Sequence, residues 1–386
     1  MRLTNLNMHP VYITKTSTFL PNEPVHNDEI EQYIGMIGGK PSRAKDIILR
    51  NNGIKKRYYA LDRQGNVTHT AYEMAVRAIE QLYDEDLNVE TLELLAAGTT
   101  SQEMIMPSHA AQIHGEMGGK RDMEVVSFAG SCCSGMHALK YAFLSLASGD
   151  KKNAVALASE RLSAWMHSSY FKKEYEDLQR LKEEPIIAFE KDFLRFMLSD
   201  GAGAFRLETK PAKNGLSFKI NWIELTSFAS TLPTCMYAGA DYDATGKLRG
   251  WTYFPEDEWT TRTIFAIKQD TKLLGENIVK LGGKFFMELV DKYSLKVGDV
   301  DWFLPHLSSM YFKPRIEKQL AEMNFNIPQE RWFLNLPYVG NVAAASAFLM
   351  LDELARTKDL KSGQNILFMV PESAHFSYAY AFLTVC

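Results

Sequence analysis

Cysteine is scarce in this chain. The four in its 386 residues, Cys132, Cys133, Cys235 and Cys386, include no CxxC pair. Without that spacing a structural zinc site is not expected, nor any other metal site. No apolar run approaches the roughly 18 residues of a membrane span. No Gly/Ser- or Pro-rich linker, short repeat or low-complexity tract divides the chain. Positive charge is not in surplus: the net charge is −4, which gives no electrostatic reason to expect a nucleic-acid partner. The first residues, MRLTNLNMHPVYI, lack the basic-then-apolar-then-small order of a secretory signal, so a cytoplasmic, soluble protein is expected. In that reducing setting disulfides are not expected, which leaves the cysteines as buried thiols or as a reactive one. With 46% hydrophobic and 23% charged residues the balance is that of a globular protein, long enough for one large domain or two halves sharing a core.

Strand-like apolar runs alternate with amphipathic stretches, which reads as α/β. Leu274, Ile278, Leu281, Phe285 and Leu289 recur at helical spacing ahead of the strand-like Trp302-Phe303-Leu304. The same order of elements occurs twice. In the first half AIEQLYDEDLNVE leads into LELLAAG, followed by the strand EVVSFAG, the turn SCCSG, the helix MHALKYAFLSLASG and the strand NAVALASE. In the second half FMELVDKYSLKVGD leads into VDWFLPH, followed by WFLNLP, the turn YVGN, the helix VAAASAFLMLDELART and the strand QNILFMVPES. Cys133 corresponds to Asn341 at an offset of 208 (341 − 133), and Glu160 to Glu372 at 212 (372 − 160). Shifted by the first offset, His306 falls on Gly98, just after the matching strand. Each half therefore reads as a copy of one strand–helix–strand unit.

Cys133 follows a strand and opens a helix amid Ala129, Gly130, Ser131, Ser134 and Gly135. Small neighbours let a substrate approach the sulfur, and the helix N-terminus, about half a positive charge, favours thiolate. Adjacent residues at such a turn point apart, so one thiol of the Cys132–Cys133 pair is expected to be exposed. Taken locally, a buried structural cysteine is the alternative. His306 closes the apolar strand of FLPHLSS, and strand ends are where α/β sites form. Asn341 sits at a Gly-Asn turn before a small-residue helix, where a plain N-cap is the alternative. Together, in the order Cys…His…Asn, the three suit one chemistry. A thiolate accepts an acyl group as thioester, while neutral imidazole and amide groups donate hydrogen bonds to an enolate oxygen.

VSFAGSCCSGMHALKYA resembles the nucleophile segment of the β-ketoacyl-carrier-protein synthase III (KAS III) family, with Cys133 in the nucleophile's place. WFLPHLSS and YVGNVAAASAFLMLDELA are similar to that family's His and Asn motifs, and SDGAGA (199–204) and TTSQEMIMPSHAAQIHGEMGG (99–119) to its framework pieces. The resemblance runs from about Phe19 to the end. It implies the layered αβαβα thiolase fold, with Cys133 in a half spanning 1–210 and His306 and Asn341 in a half spanning 211–386. It also implies a homodimer and an acyltransferase-class ketosynthase that forms carbon–carbon bonds by Claisen condensation. The substrates implied are acyl thioesters on acyl carrier protein or coenzyme A, with no further cofactor. An oxyanion hole is implied at the backbone N–H groups of Cys133 and Ala374, the latter in PESAHFS, where the family has a Gly-rich loop. His375 is then placed to tune the site. Glu103, an alternative base, and Met106 lie in the loop that resembles the one reaching the partner's pocket. Lys313, Arg315 and Lys318 follow on a helix suited to contact the carrier protein.

Departures from the family sharpen the expectation. Its His segment continues with Gln-Ala-Asn and Arg, whereas this chain reads Leu307-Ser308-Ser309-Met310-Tyr311. The Trp and Arg that hold the adenine end of coenzyme A fall near Ile47 and Asn51, which shifts the expected donor toward carrier protein. Segment 161–197 is longer than in the family, and its Trp165-Met166-His167, Tyr170-Phe171 and KKEYEDLQRLKEE read as a helical lid or a solvated insertion. With the altered loops, it is similar to the branch that builds dialkylresorcinols and flexirubin-type pigments (DarB-like). The second substrate is accordingly a malonyl- or a β-ketoacyl thioester. Two other readings are an acyltransferase of the same fold acting on a hydroxyl or amine, and a non-catalytic dimer partner.

Overall fold

The computed structural model describes residues 8–119, 122–171 and 192–386. Nine strands carry the fold: β1 (Tyr12–Phe19), β2 (Leu94–Thr99), β3 (Glu124–Ala129), β4 (Asn153–Glu160), β5 (Gly201–Glu208), β6 (Phe218–Ser227), β7 (Trp302–Pro305), β8 (Asn365–Glu372) and β9 (Ser377–Val385). Their order across the sheet is β7-β8-β9-β6-β1-β5-β4-β2-β3. The middle join is slight, pairing Tyr12 with Lys219 and Ile13 with Phe218. Outward from it the two directions match. One runs antiparallel β1–β5 and β5–β4, then parallel β4–β2 and β2–β3. The other runs antiparallel β6–β9 and β9–β8, then parallel β8–β7, and ends in one parallel bridge from Phe303 to Trp332. WFLNLP thus supplies a bridge rather than a strand, because a 3-10 turn (Gln329–Arg331) precedes it and a short helix (Leu336–Val339) cuts it off. β2 is buried along its whole length, which accounts for the unbroken apolar run LLAAGT.

Among the described residues the layers are filled by α1 (Ala71–Glu80), α2 (His109–Glu116), α3 (Ser134–Ala147), α4 (Thr271–Tyr293), α5 (Lys313–Glu322) and α6 (Ser346–Thr357). The helix read in AIEQLYDEDLNVE begins earlier than the reading placed it, at a capping box between Thr70 and Glu73, and ends at Glu80. α4 starts on the Asp270 cap and buries Leu274, Ile278, Phe285 and Leu289 along one stripe, as their spacing predicts. α1 and α2 cover the outside of the β1-to-β3 half, and α4 and α5 the outside of the β6-to-β7 half. α3 and α6 lie between, α6 packing Phe348 on Phe205 of β5 with ring centroids 4.3 Å apart. The result is the five-layered αβαβα arrangement.

The middle layer depends on small residues. A Cβ at Gly98, the end of β2, would fall 2.5 Å from the Gly135 nitrogen, and one at Gly135 would fall 2.5 Å from the Ala344 oxygen. Any side chain there would push the starts of α3 and α6 apart. Of segment 161–197, two short turns, Ser163–Met166 and Ser168–Phe171, are described and bury Met166 and Phe171. The stretch KKEYEDLQRLKEE lies outside the described residues. Among those described, no helix is long and apolar enough to cross a membrane.

Candidate active site

The ends of β7 and β8, the turn before α3 and the turn before α6 meet around a cavity of about 1010 Å3, counted out to its open mouth. His306 enters just past β7, its N–H donating to the Met369 carbonyl at 2.8 Å, and its side chain forms part of the wall. Burial lowers its pKa to about 4, so the imidazole is neutral at ordinary pH. Asn341 is fixed through its backbone, N–H to Met197 O at 3.0 Å and C=O from Ser199 N–H at 2.9 Å. Its Oδ1 accepts the Ala343 N–H at 2.9 Å, where Ala343 takes a φ of +41°. With the oxygen engaged, the NH2 is the end left to donate into the cavity. His306 and Asn341, 35 residues apart (341 − 306), thus come together.

The turn before α3 contributes Ser131 and Cys132 to the same wall. Cys133 stands immediately behind it as the residue capping α3, with 0% of its surface exposed against 8% for Cys132. Its amide donates to Glu372 Oε2 at 3.0 Å and its thiol to the Val370 carbonyl at 3.3 Å. Burial, reinforced by the Glu372 carboxylate, pushes the Cys133 thiol well above the ordinary range, and the same two causes push Cys132 up to about 12. The helix N-terminus was expected to favour thiolate; burial and a neighbouring carboxylate outweigh it here.

The remaining expected residues are spread around this centre. The carbonyl of Ala374 accepts from the N–H groups of Cys235 and Met236, at 2.9 and 3.2 Å. His375 Nε2 lies 2.8 Å from the Leu232 carbonyl, tied to the loop after β6 and not in the cavity wall. Glu103 pairs with Arg161 and accepts the Ala71 N–H at 3.0 Å, which fastens it to the start of α1. Met106 is 80% exposed at the tip of its loop, beside the exposed Met104 and Ile105. Lys313, Arg315 and Lys318 lie on α5, whose opposite face puts Ile316 and Leu320 into the cavity wall. Ile47 and Asn51 are exposed on the helix Lys45–Asn52. Leu162 and Leu194, near the two ends of segment 161–197, and Leu198 just after it also wall the cavity.

Two buried carboxylates were paired by offset in the sequence but given no role there. Glu160, at the end of β4, accepts from the N–H groups of Thr100 and Ser101 at 2.8 and 2.9 Å and from Ala344 N–H at 3.2 Å. Glu372, at the end of β8, accepts from Cys133. Each strand-end glutamate therefore reaches a helix start of the opposite half. Among the described residues no group of His, Cys, Asp and Glu is arranged to hold a metal ion.

The family model described as 3-oxoacyl-[acyl-carrier-protein (ACP)] synthase III C terminal matches residues 290–380. A β-ketoacyl-[acyl-carrier-protein] synthase III of Coxiella burnetii is 22% identical over 357 residues, covering 92% of this chain and 93% of its own. OleA of Xanthomonas campestris superposes with a TM-score of 0.73 at 18% identity, covering 98% of this chain and 99% of its own. AbyA1, a tetronic acid condensing enzyme, gives 0.71 at 18% identity, covering 97% and 99%. At such identities the structural likeness speaks for the fold.

Proposed function

Starting from a KAS III-like condensing enzyme of the thiolase superfamily, we propose that this chain carries an acyl group on Cys133 and joins it to the α-carbon of a second thioester, in fatty-acid or polyketide-type synthesis. In acyl transfer the Cys133 sulfur attacks the carrier thioester carbonyl, the carrier's sulfur leaves, and the thiol proton ends on it. In condensation the enolate carbon of the second thioester attacks the Cys133 thioester, and the Cys133 sulfur leaves. His306 and Asn341 donate hydrogen bonds to the enolate oxygen as charge develops on it. The observation that carries this reading is the convergence of a neutral His306 and of Asn341 on one largely apolar cavity that the turn bearing Cys132 and Cys133 also walls.

A neutral, weakly basic His306 supports a malonyl-type second substrate, in which loss of carbon dioxide makes the enolate without a base. The β-ketoacyl donor of the dialkylresorcinol-type branch needs a proton removed, and Glu103 is engaged by Arg161. In the same reading the protein works as a homodimer, with the exposed apolar tip Met104-Ile105-Met106 covered by the partner. The outer face of α5 then meets the acyl carrier protein through Lys313, Arg315 and Lys318. The test is to incubate the protein with a panel of acyl thioesters, then add malonyl- or β-ketoacyl thioester. Intact-protein mass spectrometry follows the acyl-enzyme, and released carbon dioxide and coupled product are measured. A coupled product from a β-ketoacyl thioester without a free carboxylate overturns the malonyl choice. Acyl-enzyme without any carbon–carbon product favours transfer to a hydroxyl or amine. One observation favours a second reading of the nucleophile, since the thiol in the cavity wall is that of Cys132.

A further inference from the structure

Cys133 has two hydrogen-bond donors, and the end of β8 holds both. The amide is on Glu372 Oε2 and the thiol on the Val370 carbonyl. Side chains alternate along a strand, so Met369 and Pro371 line the cavity while the Glu372 side chain turns the other way, to the Cys133 amide; Val370 meets the thiol through its backbone carbonyl. The backbone N–H that must receive the acyl carbonyl oxygen is thus covered by a carboxylate. Glu160 shows how the corresponding residue behaves as a pure brace. It is fully buried, held by the N–H groups of Thr100, Ser101 and Ala344 and by the Ser101 hydroxyl at 2.6 Å. Glu372 has fewer donors, the Cys133 and Ser131 amides, and sits at the last position of its strand, between the cavity-lining Pro371 and Ser373.

We propose that Glu372 and the Val370 carbonyl form a latch that keeps Cys133 withdrawn in the unloaded enzyme, opened when an entering acyl thioester puts its carbonyl oxygen on the Cys133 amide in the carboxylate's place. The latch rests on the reading that Cys133 is the acylated residue. The exchange is local: one charge-assisted hydrogen bond is given up as the acyl oxygen takes the same donor, and the thiol leaves a carbonyl. The groups facing the pair are few. His137 on α3, whose Nδ1 lies 2.9 Å from the Cys133 carbonyl, and His375 beyond β8 are the cation-forming neighbours of Glu372. Cys132 and Tyr378 are the other titratable groups near the thiol.

The experiment needs no acyl substrate. Iodoacetamide alkylation is followed at each cysteine by fragment-ion mass spectrometry across a pH series, in the wild type, Glu372→Gln and Glu160→Gln. In the wild type Cys133 is expected to react at least about tenfold more slowly than the exposed Cys386. Glutamine keeps the size and an acceptor oxygen but removes the charge, so Glu372→Gln should speed Cys133 alkylation about tenfold, one pH unit of acid shift. Glu160→Gln should leave the Cys133 profile where it is. Wild-type Cys133 reacting as fast as Cys386 overturns the latch, and this arm requires no variant to fold. An unchanged or slower Cys133 in folded Glu372→Gln overturns it too, making Glu372 a brace or a base. Acyl labelling of Cys132 in the separate thioester assay sinks the proposed nucleophile without altering these alkylation rates, so the two failures are told apart.

Discussion

Replacing Asn341 by alanine removes two things at once, and the structure allows them to be separated. One is the Oδ1 acceptor that holds the Ala343 N–H at 2.9 Å, in a turn where Ala343 takes the left-handed φ of +41°. Losing such a buried bond costs about 1 kcal/mol of stability. The other is the NH2 donor to the enolate oxygen, whose loss typically lowers turnover about 100- to 1000-fold, or roughly 3–4 kcal/mol of transition-state stabilisation. Asn341→Asp distinguishes the two, because it keeps an oxygen for Ala343 and exchanges the donor for a second oxygen. We expect both variants to lose at least about 100-fold in condensation while acylating Cys133 within about tenfold of the wild-type rate. Alanine alone should lower Tm, by about 1 °C in a chain of this size. Acyl-enzyme is read by intact-protein mass spectrometry, product by chromatography, and stability by thermal unfolding. Wild-type turnover in Asn341→Ala would falsify the donor role and leave Asn341 as a cap.

Cys133→Ala is expected to abolish acyl labelling and cut turnover by several orders of magnitude, with Cys132→Ala keeping both; the reverse pattern moves the nucleophile to the thiol in the cavity wall. His306 is held neutral with a pKa near 4 against 6.5 unfolded, so its contribution to stability is complete above pH 6.5 and is lost as pH falls toward 4. Denaturant titrations should therefore show the wild-type-minus-His306→Gln stability difference shrinking by up to about 3 kcal/mol across that window, and a difference that stays flat or grows refutes the assignment. Charge reversal at Lys313, Arg315 and Lys318 together should raise KM for a carrier-bound acyl thioester while sparing kcat with a small acyl thioester; equal effects on both donors would remove α5 as the carrier contact.

The parts of this fold legible in the sequence are those whose burial imposes a period. The parallel strands β2, β4 and β8 read as unbroken apolar runs because both faces are covered. The long α4 shows its stripe because one face alone is buried. β1 and β6 carry no such run: β1 mixes Thr, Lys and Ser into its sequence, and β6 alternates Lys219 and Asn221 with Phe218 and Ile220 at the weak central join. The site divides in the same way. His306 and Asn341 follow strand and turn signals, and the cavity brings them together as their order suggested. No local pattern distinguishes which of two neighbouring thiols meets the cavity, since that depends on how the turn rolls against β8. Nor could sequence show that Glu372 reaches the Cys133 amide, a contact between residues 239 apart. Only the 212-residue correspondence with Glu160 pointed to that carboxylate at all.

The electrostatics of the site explain why its polar groups are neutral. In the proposed reaction negative charge appears at one oxygen during acyl transfer and again during condensation, beside thiols pushed up by burial and by Glu372. A fixed cation would stabilise that charge in the ground state as well, holding an anionic carboxylate donor as tightly as its transition state. Neutral imidazole and amide groups offer dipoles that gain most when the charge concentrates on one oxygen. The carboxylate at Cys133 then acts in the opposite sense. It adds to burial in keeping the Cys133 sulfur protonated and occupies its amide; under the proposed latch, reactivity is tied to occupancy of the cavity rather than to pH alone.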